Sequence, residues 1–194
     1  MLNPSYPIET DRLLLRPLDP VTDVDAVHAY QSREDVCRYI PYAPRTRDEI
    51  AERLASDRTR STIDAEGQNI NVAVVVRSTG ELIGDVVLVW TSAEHRSGEI
   101  GYVLHPDHHG NGYATETCRA LLALAFDGLG LHRVAARIDE RNDASAAVLR
   151  RIGMRQEAVL VENEWFKGEW TNEVDFAILA REWRALDSER SGQG

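Results

Sequence analysis

Between Pro106 and Glu116 the chain reads Pro-Asp-His-His-Gly-Asn-Gly-Tyr-Ala-Thr-Glu, and the spacing of Gly110 and Gly112 is its plainest chemical signal. Glycine tolerates left-handed backbone, so a short turn built on two of them can aim several N–H groups at one point. Ala114, Cys118, Leu121, Leu122 and Ala125 then share one face at helical spacing, while Glu116, Arg119 and Asp127 fall on the other. Gly128 and Gly130 mark the C-cap. Unpaired N–H groups at the start of this helix, reinforced by its dipole, favour an anion, so strand, glycine turn and helix together make a phosphate-binding device. The turn is too short for the P-loop pattern and lacks its Lys-Ser/Thr ending, and it does not match the six-residue dinucleotide fingerprint.

Other residues around this turn have chemical uses of their own. Glu99 lies on the strand just before it, and alternation puts Glu99 on the same face as Gly101 and Val103. The glycine leaves room for a ligand, and a partly desolvated carboxylate there takes a proton from an ammonium, directly or through water. The same residue could instead be an exposed strand carboxylate or an anchor for a cationic substrate. His105, His108 and His109 are suited to proton shuttling. No Asp, Glu or Cys at helical or hairpin spacing completes a ligand set around them, so no metal is expected. Asn142 reads as the N-cap of a helix and Ser145 suits its first turn, and such a cap can also face a ligand.

The elements that position these residues follow from pattern. Arg12 to Leu18 reads as a first strand. A helical pattern runs on from Val21, with Val24, Val27 and His28 on one face, and a short helix is expected from Val36 to Ile40. Thr46 and Glu49 form a capping box opening a helix through Ile50 and Leu54 to roughly Thr59. Ile70 to Arg77 and Glu81 to Trp90 flank Ser78-Thr79-Gly80 as a hairpin, and Glu99 to Leu104 is a third strand. Arg133 to Ile138 is a strand, and the helix from Asn142 carries Ser145, Val148, Leu149 and Ile152 on one face until Gly153. Val159 to Glu164 and Val174 to Leu179 make a last hairpin across Lys167-Gly168-Glu169, before a short helix near Trp183. Strand, helix and strand in succession imply one parallel crossover, giving a single-domain α/β fold with a mixed, mostly antiparallel sheet flanked by helices. The domain is expected over 1–187, with a disordered tail at 188–194.

Composition bounds the function. The 194 residues suffice for one core without metal or disulfide staples, and 43% hydrophobic with 28% charged residues describes an ordinary soluble globule. Cys37 and Cys118 read as buried thiols. No apolar run reaches transmembrane length and no signal-peptide core is seen in the first residues, so a cytoplasmic location is expected. A net charge of -10 argues against nucleic-acid binding and mildly favours a cationic partner.

Four motifs in order, Gly98-Glu99-Ile100-Gly101-Tyr102, His105-Pro106, Gly110 to Glu116, and Asn142 to Gly153, resemble the GNAT family of N-acetyltransferases. Within it they resemble the Rim-type branch, which acetylates protein N-termini and often opens with a stretch like Glu9-Thr10-Asp11-Arg12-Leu13. The resemblance implies that the sheet splays beside its central strand to admit acetyl-CoA, which serves as co-substrate. It assigns donor contacts to Val103, Leu104, His109, Gly110, Asn111, Gly112, Tyr113, Ala114, Thr115, Asn142 and Ser145. It makes Glu99 and Ser145 the catalytic candidates, Glu99 as base. Many relatives carry a tyrosine acid beyond the Asn142 helix, but Met154 to Leu179 has none, so Ser145 or a water takes that role. Asp107 stands where Gln or Arg is common, implying weaker side-chain help for the phosphates.

The expected reaction is direct attack of a primary amine on the thioester, with a protein α-amine as the first acceptor. The alternatives are a small amine such as an antibiotic or polyamine, or a non-catalytic acyl-CoA-binding protein. Tyr39, Tyr42 and Trp90 are candidates to line the acceptor side or else to belong to the core. A homodimer is common in the family, and Trp165, Phe166 and Trp170 would form its interface or else part of the core.

Overall fold

The computed structural model describes residues 1–56 and 60–191. The strands are β1 (Ile8–Glu9), β2 (Leu13–Pro17), β3 (Asn69–Val76), β4 (Leu82–Ser92), β5 (Ser97–Leu104), β6 (Arg133–Asp139), β7 (Arg155–Phe166) and β8 (Glu169–Leu179). The helices are α1 (Val24–Gln31), α2 (Glu34–Cys37), α3 (Arg47–Leu54), α4 (Tyr113–Ala123), α5 (Asp143–Arg151) and α6 (Ala180–Ser191). All eight strands form one sheet in the order β1-β2-β3-β4-β5-β6-β8-β7, antiparallel except where β5 meets β6. This is the mixed, mostly antiparallel α/β sheet expected, with β8 inserted between β6 and β7.

Both faces of the sheet are covered, and the pattern of β3 shows why. Val72, Ala73, Val74, Val75 and Val76 are all buried, so successive side chains enter different layers. Val72 and Val74 pack with Cys118, Leu121 and Leu122 of α4, Leu149 of α5 and Trp183 of α6. Ala73 and Val75 pack with Val24, Val27 and Tyr30 of α1 and Ile50 and Leu54 of α3. Each fully buried valine or leucine contributes about 1.5–3 kcal/mol from lost water contact. Cys37 and Cys118 are both buried free thiols.

Local signals hold where they are strong. Thr46 accepts from the Glu49 N–H while the Glu49 carboxylate accepts from the Thr46 N–H, closing the expected capping box. That helix ends at Leu54, and the expectation that it reaches Thr59 falls outside the described residues. α4 closes in a single π turn, Leu124–Gly128, and Gly130 rather than Gly128 takes the positive φ. The short helix expected from Val36 forms earlier, over Glu34–Cys37. Residues 188–191, expected to be disordered, are the last turn of α6, because Trp183 and Leu186 anchor that helix on the core. Residues 192–194 of the expected tail lie outside the described residues.

The sheet parts at one place. β5 and β6 pair only at Ser97–Arg133, Gly98–Val134 and Glu99–Ala135. Beyond Glu99, β5 stays on β4 through Leu104–Gly84 while β6 stays on β8 through Asp139–Glu173, so a wedge opens between them. At the closed end Gly98 is required by space, since a Cβ there would meet Leu131 Cδ1 at 2.6 Å and the Val89 carbonyl oxygen at 2.7 Å.

Candidate functional site

The glycine turn lies where β5 gives way to α4. His105 to His109 form a 3-10 turn, with His105 Nδ1 accepting from the Asp107 N–H at 3.2 Å. Gly110 and Gly112 have φ of +80° and +79°, the left-handed backbone that glycine tolerates. The first bond within α4 runs from the Glu116 N–H to the Gly112 carbonyl, leaving the Tyr113, Ala114 and Thr115 N–H groups without intrahelical acceptors. Asn111 Nδ2 donates to the His108 carbonyl at 3.2 Å, which makes Asn111 a builder of the turn. His109 Nε2 reaches the Leu104 carbonyl at 3.1 Å and ties the turn to the end of β5. The Leu104 side chain is in the core.

A second brace was not foreseen. Arg12, beside the opening strand, donates through Nη1 to the Asn111 carbonyl at 2.8 Å, and its guanidinium lies 4.8 Å from the Tyr113 ring centre. Its Nε and backbone N–H donate to the two Glu116 oxygens, both at 2.8 Å. Thr10 Oγ1 donates to the same carboxylate at 2.6 Å. These donors hold the Glu116 carboxyl below its ordinary range against the opposing effect of burial. Of the histidines, His108 contacts Glu81 at 3.1 Å. Among the described residues no group of three or more His, Cys, Asp and Glu could hold a metal ion.

The wedge between β5 and β6 opens into a cavity of about 450 Å³, lined by Glu99, Gly101, Tyr102 and Val103 of β5 and Ala136, Arg137 and Ile138 of β6. Asn142, which caps α5, and Ser145 in its first turn also border it, so the cavity brings Glu99, Val103, Asn142 and Ser145 together. The turn residues from His109 to Thr115 and Leu104 are not on its wall; the turn follows the open end of β5. Burial raises the Glu99 carboxyl, Arg137 opposes this from 3.8 Å, and Asp175 adds to the rise. Asn142 Oδ1 accepts from the Ser145 N–H at 3.0 Å, the N-cap that its position predicts.

Sequence reasoning missed Tyr102. Alternation places Glu99, Gly101 and Val103 on the α1–α3 face of β5 and Tyr102 on the α4–α5 face. Tyr102 Oη lies 2.7 Å from Ser145 Oγ and 3.3 Å from the Ser145 carbonyl oxygen. The available signal was its place one strand step beyond the glycine that makes room beside Glu99.

The α1–α3 side of the cavity also holds a network that no motif announced. Asp85 Oδ1 accepts from Tyr30 Oη at 2.5 Å and Gln31 Nε2 at 2.8 Å, and Arg45 Nη1 donates to Gln31 Oε1 at 2.7 Å. Arg45 stacks 3.6 Å from the centre of the Tyr42 ring. A lone carboxylate inside the apolar run Leu82 to Trp90 was the signal for Asp85. Tyr39 and Tyr42 line the cavity. Trp90 does not: its Nε1 donates to the Ser92 carbonyl at 3.0 Å and its ring packs on the core, because it lies at the closed end of β5 opposite Gly98. Glu164 and Glu173 line the outer wall, and burial together with Glu164 raises the Glu173 carboxyl. Trp165 and Trp170, considered for the core, are 62% and 58% exposed and stack edge to face on the β7–β8 hairpin. Phe166 lines the cavity.

Comparison with known proteins agrees with this geometry. Residues 12–155 match the family model described as an acetyltransferase (GNAT) domain. The chain is 34% identical over 156 residues to "Uncharacterized N-acetyltransferase YoaA" of Bacillus subtilis, covering 80% of this chain and 86% of that protein. It is 29% identical to "Putative ribosomal N-acetyltransferase YdaF" of the same organism, over 88% of this chain and 91% of that protein. It is 26% identical to the spermidine N(1)-acetyltransferase of Escherichia coli, over 57% of this chain and 60% of that protein. A solved acetyltransferase of the GNAT family from Bacillus anthracis superposes with a TM-score of 0.79 at 32% identity, covering 90% of this chain and 99% of that one. A two-glycine turn before α4, a sheet that parts after three residue pairs and a carboxylate at the parting are thus found in a chain that belongs to the GNAT family and is an N-acetyltransferase.

Proposed function

We propose that this enzyme transfers acetyl from acetyl-CoA to a primary amine by direct attack, and that the acceptor is a protein N-terminal α-amine. The observation that carries the reading is the wedge between β5 and β6 with Glu99 at its apex. The N–H groups from Gly110 to Ala114 and the Thr115 hydroxyl suit a pyrophosphate, since a helix start with two left-handed glycines offers clustered donors. Open β5 backbone past Glu99, beside Val103, suits the amide-bearing arm of the donor, as an added strand would.

Glu99 takes a proton from the incoming ammonium, and its raised pKa brings it closer to neutrality, where a base is most effective. The amine nitrogen then bonds the acetyl carbon, and the sulfur leaves with the C–S electron pair near Ser145. The ribosomal relative, matched over 88% of this chain, supports the α-amine reading. A small polyamine is the second reading, favoured by Glu99, Glu164 and Glu173 among the residues lining the cavity and by the shorter match to a spermidine enzyme.

The test is mass-resolved acetyl transfer from acetyl-CoA to a panel of N-terminal peptides, polyamines and aminoglycosides. Product on a peptide α-amine is expected, and product on small amines alone would replace the first reading with the second. Glu99→Gln should cut turnover by about 100-fold or more while acetyl-CoA binding stays within about twofold. Equal turnover in the two proteins would remove Glu99 as base.

A further inference from the structure

The wedge gives the site two sides. Glu99 faces the α1–α3 layer, where the amine would be deprotonated, whereas Tyr102 faces α5 and touches Ser145. The departing sulfur needs a donor on that second side, and a serine hydroxyl alone rotates freely among acceptors.

Resting on the transfer reading above, we infer that Tyr102 is a positioning residue that sets the Ser145 hydroxyl as hydrogen-bond donor to the departing thiolate. One distance carries this. Tyr102 Oη and Ser145 Oγ are 2.7 Å apart, a full-strength O–H···O contact in which either oxygen can donate. The Ser145 carbonyl, 3.3 Å from Tyr102 Oη, is too far to hold the phenol proton as firmly, so the Tyr102 O–H is free to turn onto Oγ. When it does, it occupies a lone pair of Oγ and leaves the serine O–H to point elsewhere, and the cavity is the open direction. The Asn142 cap holds the Ser145 backbone N–H, which fixes the first turn of α5 that carries this hydroxyl at the cavity.

Tyr102 does not act as the acid itself. Burial pushes its hydroxyl above the ordinary phenol value, so it stays protonated and remains a donor across the working range. A thiolate whose parent thiol has a pKa of about 8.5 would not pull the proton from such a phenol. The step balances without that transfer. A C–N bond forms, the C–S bond breaks with its electron pair on sulfur, and the proton shed by the acylated nitrogen is the one the sulfur finally carries. Tyr102 and Ser145 supply hydrogen bonds throughout.

The experiment is a double-mutant cycle with Tyr102→Phe and Ser145→Ala, the first keeping the ring that packs on the core. Thiol release is followed with the best amine of the panel and, separately, with no amine added. Each single variant should lose about tenfold in kcat with the KM for acetyl-CoA unchanged, and the double variant should lose no more than either single one. The pH profile should keep the limb that belongs to Glu99. Wild-type kcat in Tyr102→Phe, or losses that multiply in the double variant, would overturn the inference. So would a loss in Tyr102→Phe seen as a raised KM with a lowered melting temperature, since that marks packing. Glu99→Gln, run alongside, separates the readings: full activity there removes the base and leaves the cycle to decide Tyr102 by itself. No thiol release by wild type in either format would overturn both.

Discussion

Arg12 and Glu116, 104 positions apart, are joined three times: backbone N–H to Oε1 and Nε to Oε2 at 2.8 Å, and Nη2 to Oε2 at 2.7 Å. The same guanidinium donates to the Asn111 carbonyl, so one side chain fixes both the glycine turn and the first turn of α4. Arg12→Ala should raise the KM for acetyl-CoA several-fold with kcat nearly unchanged, because the turn loses its brace while the reacting groups keep theirs. The stability loss should be about 1 kcal/mol, held down by the half-exposed position of Arg12. Steady-state kinetics with varied acetyl-CoA checks the first claim, and a rise in KM absent from the variant would refute it.

Gly112 makes a sharper test of the turn. Its φ of +79° costs an alanine about 1–2 kcal/mol, and a new Cβ would sit 3.4 Å from the Arg12 guanidinium. Gly112→Ala should therefore lower the melting temperature by about 2–8 °C and weaken acetyl-CoA binding together. Calorimetric titration with CoA and a melt on the same sample measure both. Binding at full strength in the destabilised variant would mean that the turn is structural only.

The raised Glu99 carboxyl has a definite pH signature. Its folded pKa lies above its unfolded value, so the folded state holds the extra proton and stability is lost as pH rises through the folded pKa. Glu99→Gln removes that loss, and the variant should melt above wild type at about pH 8, with the difference shrinking as pH falls toward about 4. Activity runs the other way, since only the ionised carboxylate is a base: the wild-type rate should climb through a pKa above the ordinary carboxylate value. A wild-type acid limb at the ordinary value would show that Glu99 is not the titrating group.

Tyr30 and Asp85 support the opposite wall. Tyr30 is fully buried, and burial and the Asp85 charge keep its hydroxyl protonated as a donor. Tyr30→Phe should cost about 1–3 kcal/mol, since it strips one donor from a buried carboxylate. Because Gln31 shares that carboxylate and also receives Arg45, acceptor KM should rise more than the KM for acetyl-CoA. Thermal melts and paired KM measurements decide it.

What the sequence disclosed and what it withheld divide by range. The Thr46–Glu49 box, the Asn142 cap, the glycine turn and the apolar face of α4 depend on residues within a few positions, whose chemistry is fixed by local backbone. The resemblance to the family singled out Glu99, Asn142 and Ser145, and all three line the cavity between β5 and β6. Arg12 to Glu116, Tyr30 to Asp85 and Tyr102 to Ser145 span 104, 55 and 43 positions, and nothing in a strand pattern says which distant side chain it will meet. Trp90 misled for the same reason, because its role depends on which end of β5 is closed.

With three residue pairs between β5 and β6, the sheet is nearly two plates, β1–β5 and β6–β8, fastened along a short seam. A donor lodged in the gap would act as a temporary splice, lending the two plates backbone contacts that the polypeptide itself does not make. The enzyme should then stiffen and loosen once per turnover, with amide exchange along β5 past Glu99 slowing while the donor is held and quickening after CoA departs.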